Sequence, residues 1–197
     1  MDEGASKTRE RILDVALDLF VEQGYDKSSL RELAERMGFT KAALYYHFPS
    51  KADILIALHE RMHSLLDGPI ALLGDGPTSL ESYEKFLDAC VDGIRANEKL
   101  FLMHRVNQAA LSKLHMEGHE GSHQELEEQA RKLFSDPAFS PAQRLRMVAG
   151  FAVAFVTPIM STVFGGPSAE ANAEMPVEDL KEIVHQVLHA SGTRRSR

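Results

Sequence analysis

The sequence predicts an all-α fold, with an N-terminal three-helix domain of helix-turn-helix type followed by a larger helical domain, about nine helices in total. Three observations carry this. Apolar residues recur at spacings of three and four along nearly the whole chain, the signature of one helix face. Serine or threonine followed three residues later by an acidic residue, and glycine or proline after each apolar run, mark starts and stops at helix-length intervals. No segment alternates as a strand would, and no internal repeat is found. With 197 residues, 44% of them hydrophobic and 26% charged, the chain can bury a substantial core and lacks the composition of a disordered protein.

The elements follow in order. Ile12, Leu13, Ala16, Leu17 and Phe20 share one face of a helix over 7–23, and Gly24 supplies its left-handed stop. Ser29 with Glu32 forms a capping box that opens a short helix from Leu30 to Met37, ended by Gly38. Thr40 caps a third helix reaching His47, before Pro49. Ser50 with Asp53 starts a fourth, expected to run unbroken to Leu73. Gly74-Asp75-Gly76-Pro77 reads as a linker, and Thr78 with Glu81 caps the next helix, to Ala96. A helix over 98–114, a loop or broken helix from Glu117-Gly118 to Gly121-Ser122 and a helix to Phe134 come next. Ser140-Pro141 begins a helix to Phe164, kinked at Pro158, and a final amphipathic helix uses Val177, Leu180, Val184, Val187 and Leu188. The expected domains are 1–52 and 53–197.

Composition narrows the function classes. The single cysteine, Cys90, excludes an intramolecular disulfide framework and a cysteine-rich zinc module, and is compatible with a reducing cytoplasm. No secretory signal opens the sequence. Met147 to Ala169 is uncharged, but Pro158, Gly165, Gly166 and Pro167 interrupt it, so a buried helix is expected and no membrane span. The net charge of −7 is unevenly placed: residues 27–51 carry +3, from Lys27, Arg31, Arg36, Lys41 and Lys51 against Glu32 and Glu35. A small basic patch on an acidic body suits specific docking on phosphate with little non-specific adhesion.

Two short helices around Gly38 form a helix-turn-helix, whose second helix lies in the major groove with its first residues at base edges. Here that helix is Thr40-Lys41-Ala42-Ala43-Leu44-Tyr45-Tyr46-His47. Ala42 and Ala43 let backbone approach the bases, and Lys41 can reach guanine acceptors or phosphate. Leu44 and Phe48 turn toward Leu33, Ala34 and Met37 and are expected in the core.

Residues 7–55 resemble the N-terminal domain of the tetracycline-repressor (TetR) family. The resemblance rests on Arg11-Ile12-Leu13-Asp14-Val15-Ala16, Leu19-Phe20 with Gly24-Tyr25, Ser29-Leu30-Arg31-Glu32-Leu33-Ala34, Gly38-Phe39-Thr40-Lys41, and above all Leu44-Tyr45-Tyr46-His47-Phe48-Pro49-Ser50-Lys51. It implies phosphate contacts from Ser29 and Thr40, base reading by Lys41, Ala42, Ala43 and Tyr45, and backbone holding by Tyr46, His47 and Lys51. On that assignment, removing the Lys51 charge should lower the salt slope of DNA binding by about one unit. The family often carries Gly or Pro where this chain has Ala42, which leaves base preference open.

The resemblance also implies a C-terminal domain that holds a small apolar effector and forms a homodimer on a double-stranded DNA operator. Phe86, Cys90, Met103, Met147, Phe151 and Phe155 are candidates for an adaptable apolar wall, with His104, Asn107 and Gln108 as orienting polar groups. Val148, Ala152 and Val156 with Leu180, Val184 and Val187 are candidates for the dimer interface, a four-helix contact across a two-fold axis. The implied mechanism is release of DNA when effector tilts the helix over 51–73. No cofactor is expected.

Two histidine patterns offer a competing reading as a metal-dependent enzyme or metal sensor. His59-Glu60-Arg61-Met62-His63 matches the H-E-x-x-H zinc motif, and His115, His119 and His123 repeat every four residues. The first lacks a marked third ligand and a supporting sheet, and Gly118 and Gly121 weaken the helix the second needs.

Overall fold

A computed structural model describes residues 3–73, 79–116, 131, 134–160 and 175–190, without the side chains at 3, 115–116 and 156–160. The described residues form helices α1 (Glu3–Gln23), α2 (Leu30–Met37), α3 (Lys41–His47), α4 (Lys51–Ser64), α5 (Asp67–Ala71), α6 (Leu80–Ala96), α7 (Glu98–Val106), α8 (Gln108–Met116), α9 (Pro141–Met160) and α10 (Val177–His189), with no strand among them. The all-α expectation is met.

The chain forms two compact units, Met1–Ser64 with Asn97–Ser122, and Leu65–Ala96 with His123–Arg197. In the first, α1 packs on α2, α3, α4 and α7, and α4 also meets α7 and α8. Its core contains Ile12, Leu13, Ala16, Leu19 and Phe20 of α1, Leu33 and Ala34 of α2, Leu44, Phe48, and Ile54, Leu55 and Leu58 of α4. In the second, α6, α9 and α10 pack on one another and α5 lies on α6. Tyr83, Leu87, Val91, Met147, Ala154, Leu180, Val184 and Leu188 fill its core. At Gly150 of α9 the Cβ of a larger residue would stand 3.1 Å from Leu188 and 3.3 Å from Leu87, so the missing side chain is what lets α9 approach its neighbours.

Local signals explain most boundaries. Ser50 Oγ accepts the Asp53 amide at 3.2 Å and donates to its carboxylate at 2.7 Å, capping the start of α4. Ser140 and Gln143 do the same for α9, with Pro141 as first helical residue. At the start of α6 the Ser79 hydroxyl accepts the Ser82 amide at 3.0 Å. Thr78, the Gly74–Pro77 linker, the 117–122 loop and most of the helix expected before Phe134 lie outside the described residues.

Two expected long helices are broken. The one over 51–73 ends at Ser64, and α5 begins at Asp67. Pro69 is the cause: it has no amide to donate, and its ring would clash with the carbonyl four residues back, that of Leu65. The helix over 98–114 is interrupted at Asn107, whose side-chain amide takes the Met103 carbonyl at 2.7 Å. Asparagine competing for backbone in this way favours a break over continuation.

Candidate nucleic-acid interface

Helix α2 leaves its last turn through Gly38, at φ 67°, a left-handed conformation open to glycine at little cost. The Phe39 amide closes on the Ala34 carbonyl at 2.9 Å, so the chain reverses tightly and presents α3. Ser29 Oγ accepts the Glu32 amide at 3.1 Å and Thr40 Oγ1 accepts the Ala43 amide at 3.2 Å. Each hydroxyl thus caps its helix with a lone pair and keeps its proton to donate, which is what a phosphate oxygen requires. The amide-rich start of α2 adds favourable potential for an anion.

Along α3, Leu44 is fully buried and Phe48 follows it inward, while Lys41, Ala42, Ala43, Tyr45 and Tyr46 face outward. Tyr46 is 80% exposed, far more than a ring of its size would be if it served the core. The Lys41 ammonium lies 5.5 Å from the Tyr45 ring centroid, a cation–π contact that steadies a long side chain at the start of the helix. His47 is half-buried against Tyr46, ring centroids 5.1 Å apart. Lys41, Ala42, Ala43, Tyr45 and Tyr46 are thus exposed on α3, with Thr40 at its start and half-buried His47 at its end, while Ser29 stands at the start of α2.

Lys51 is placed differently. Its ammonium donates to the carbonyls of Tyr25 at 2.6 Å and Ser28 at 2.9 Å, and stands 4.0 Å over the Tyr25 ring. Burial pushes this ammonium below the ordinary lysine range, with Asp26 opposing the shift. Two of its three protons hold the turn between α1 and α2, which gives Lys51 a structural role beside the backbone contact expected of it. The +3 patch is also largely spent internally: Arg31 pairs with Glu35 at 2.8 Å, and Arg36 with Glu22 at 2.8 Å and Glu32 at 3.3 Å.

The sequence reading missed two cations of α1. Arg9 stacks 4.7 Å from the Phe48 centroid and Arg11 5.7 Å from that of Phe39, the two rings that follow α3 and α2. Both arginines were visible in the sequence, but nothing local to them names those distant rings.

The candidate effector residues fall in both compact units. Phe86, Cys90, Met147, Phe151 and Phe155 belong to the second compact unit, and Met103, His104, Asn107 and Gln108 to the first. Met103 is core, Gln108 is exposed, and His104 stacks on His59 with centroids 5.1 Å apart. Asn107 is buried and bonded to backbone through both its oxygen and its nitrogen. Within the second unit, Phe86, Tyr83, Phe134, Phe151 and Phe155 form a continuous run of ring contacts, Phe151 on Phe155 at 4.3 Å. Tyr83 and Phe134 were not among the expected residues. The Tyr83 hydroxyl is used up on the Met147 carbonyl at 2.7 Å, and burial raises its ionisation above the ordinary tyrosine range.

The candidate dimer residues divide as well. Val148 is 44% exposed, and Ala152 and Val187 are half-buried. Leu180 and Val184 are buried in the core of their own unit. The Val156 side chain lies outside the described residues. The outward aliphatics on these helices include Leu145, 69% exposed, and Ile183, 37% exposed, which sequence periodicity alone did not separate from the buried stripe.

Among the described residues no three His, Cys, Asp or Glu side chains are arranged to hold a metal ion. His59 is buried on α4, its Nε2 3.1 Å from that of His63, while Glu60 is exposed. The H-E-x-x-H pattern is thus a helix packing face. His119 and His123, and the His115 side chain, lie outside the described residues. No helix among those described is long and apolar enough to cross a membrane.

Residues 12–58 match the sequence profile of bacterial regulatory proteins of the tetR family. They are a tetR-family domain. The match begins at the first buried residue of α1 and ends at the last buried leucine of α4, so it contains the whole helix-turn-helix. The HTH-type transcriptional regulator AcrR of Shigella flexneri is 45% identical over 60 residues, 30% of this chain and 28% of AcrR. The biofilm operon icaADBC HTH-type negative transcriptional regulator IcaR of Staphylococcus aureus is 46% identical over 46 residues, 23% of this chain and 25% of IcaR. The chain thus matches less than a third of the length of these relatives. The fold is shared further: a TetR-family transcriptional regulator from Mesorhizobium loti superposes with a TM-score of 0.67, covering 96% of both chains at 15% identity. The all-helical fold of this chain thus recurs in that solved structure.

Proposed function

We propose that this chain is a homodimeric transcriptional repressor that binds a palindromic double-stranded DNA operator through α3 and releases it when a small apolar effector occupies its second unit. One observation carries the reading. Helix α3 is anchored by a single buried leucine and turns Lys41, Ala42, Ala43, Tyr45 and Tyr46 outward, capped by the Thr40 hydroxyl. A seven-residue helix with so little of itself buried, in a tetR-family domain, is built to be covered by something else.

The repressing sign is supported by IcaR, a negative regulator that shares this domain. The dimer is supported by the exposed aliphatic stripe Leu145, Val148 and Ile183 on two helices that pack side by side in one unit. The effector is supported by the aromatic run from Phe86 to Phe155, whose adaptable rings suit an apolar molecule. An effector releases DNA only by binding the non-DNA arrangement more tightly. The place of action is the cytoplasm, where DNA is reached. Domain 1–52 reads DNA and 53–197 serves effector and dimer, though α7 and α8 share the compact unit of the reading head.

The test is a gel shift with the DNA upstream of the chain's own gene, followed by candidate apolar effectors. The reading predicts a sequence-specific shift that a bound effector reverses. Operator affinity that stays fixed while an effector is bound contradicts the release mechanism.

A further inference from the structure

Helix α1 ends at Gln23, and its last carbonyls have no amide ahead of them in the helix. The chain leaves through Gly24, at φ 81°, into Tyr25. A single side chain from elsewhere in the sequence serves both ends of this break. Asn107, at the junction of α7 and α8, accepts the Tyr25 amide on Oδ1 at 2.5 Å and donates from Nδ2 to the Phe20 carbonyl at 3.2 Å. Its other Nδ2 proton goes to Met103 at 2.7 Å. The amide orientation is settled by chemistry, because an N–H must meet the oxygen and two carbonyls must meet the nitrogen. At 3% exposure Asn107 has both its Nδ2 protons used.

The turn it holds leads directly into the reading head. Tyr25 stacks edge-on against Phe20 at 5.6 Å, its carbonyl takes the Lys51 ammonium, and Ser28 bonds back to it through both amide and hydroxyl. Ser29, the next residue, is the N-cap of α2, and on the DNA-binding reading its hydroxyl meets a phosphate. Asn107 therefore grips the turn by its amide side and Lys51 by its carbonyl side.

We propose that Asn107 is a positioning residue for DNA binding, which caps the end of α1 from the α7–α8 junction and so fixes where α2 begins. This rests on the reading of the chain as a DNA-binding regulator. The residue touches no DNA; it acts through the turn Gly24–Ser28. A side chain at this position with no amide leaves the turn free to shift and carries Ser29 with it.

The experiment uses the full chain with the duplex upstream of its own gene, measured for the parent, Asn107→Ala and Tyr83→Phe. Tyr83→Phe removes a buried hydrogen bond of the second unit and controls for general loss of stability. At a temperature where circular dichroism shows all three folded, Asn107→Ala is expected to bind about tenfold more weakly, while Tyr83→Phe binds like the parent. If Asn107→Ala binds within twofold of the parent, or if both variants lose affinity in step with their melting temperatures, the proposal is overturned. Should Asn107→Ala not fold, hydrogen exchange on the parent decides. The Tyr25 amide is expected to be protected like those of the α1 interior, and rapid exchange there overturns the proposal. A parent that ignores its upstream DNA and all other duplex DNA instead refutes the regulator reading itself, and the proposal with it.

Discussion

The Lys51 ammonium lies 2.6 Å from the Tyr25 carbonyl and 4.0 Å above the centre of the same residue's ring. One tyrosine thus receives a lysine through both backbone and side chain, and α4 is tied by its first residue to the turn that precedes α2. A lysine so placed has little left for a phosphate.

Lys51→Met is therefore expected to destabilise the fold while leaving the electrostatics of DNA binding almost intact. Loss of charge-assisted bonds to two carbonyls costs about 1–3 kcal/mol in urea denaturation. The salt slope of operator binding stays within about half a unit of the parent's. A slope lower by a full unit with unchanged stability would place Lys51 on the DNA backbone after all.

The exposed stripe on α9 and α10 separates dimerisation from folding. Val148→Glu is expected to give folded monomers in sedimentation velocity, because its side chain is 44% exposed and need not leave a core. Val184→Glu puts a carboxylate at a fully buried site and is expected to abolish folding, since an unpaired buried charge costs many kcal/mol. A Val148→Glu protein that stays dimeric moves the interface elsewhere.

Cys90 is expected to be inert in the native state. It is 2% exposed, and burial raises its thiol well above the ordinary cysteine range, so almost no thiolate is present at neutral pH. A thiol reagent should label it only after denaturant is added. Rapid labelling of the native protein would show that the α6 core opens readily.

Gly150→Ala tests the contact between α9 and its neighbours. The new Cβ must push back Leu188 and Leu87, from 3.1 and 3.3 Å, and overpacking of this kind costs about 1–3 kcal/mol. Alanine is the better helix former, so a stabilised variant would mean that both leucines yield freely.

Capping and periodicity made most of the fold legible. Ser29, Thr40, Ser50 and Ser140 each cap the helix expected of them, because a cap is a contact between residues three apart and is written in adjacent sequence. The breaks at Pro69 and Asn107 escaped: in both segments the apolar spacing continues across the break, and it outweighed a proline that could be read directly. Of the reading helix, the outward and inward faces followed from spacing alone. What did not follow was Lys51, since its partners are carbonyls of a turn more than twenty residues earlier. Nor could spacing assign Leu180 and Val184 to their own core and leave Leu145 and Ile183 outside, because both stripes are apolar at helical intervals.

The central claim is that α3 reads DNA, and the most direct measurement is a salt-dependent titration of the upstream duplex with the parent and Lys41→Ala. The account predicts sequence-specific binding by the parent, and a loss of about 1–3 kcal/mol with a lower salt slope in the variant. Equal affinities and slopes for parent and variant, or a parent that does not distinguish this duplex from unrelated DNA, would contradict it.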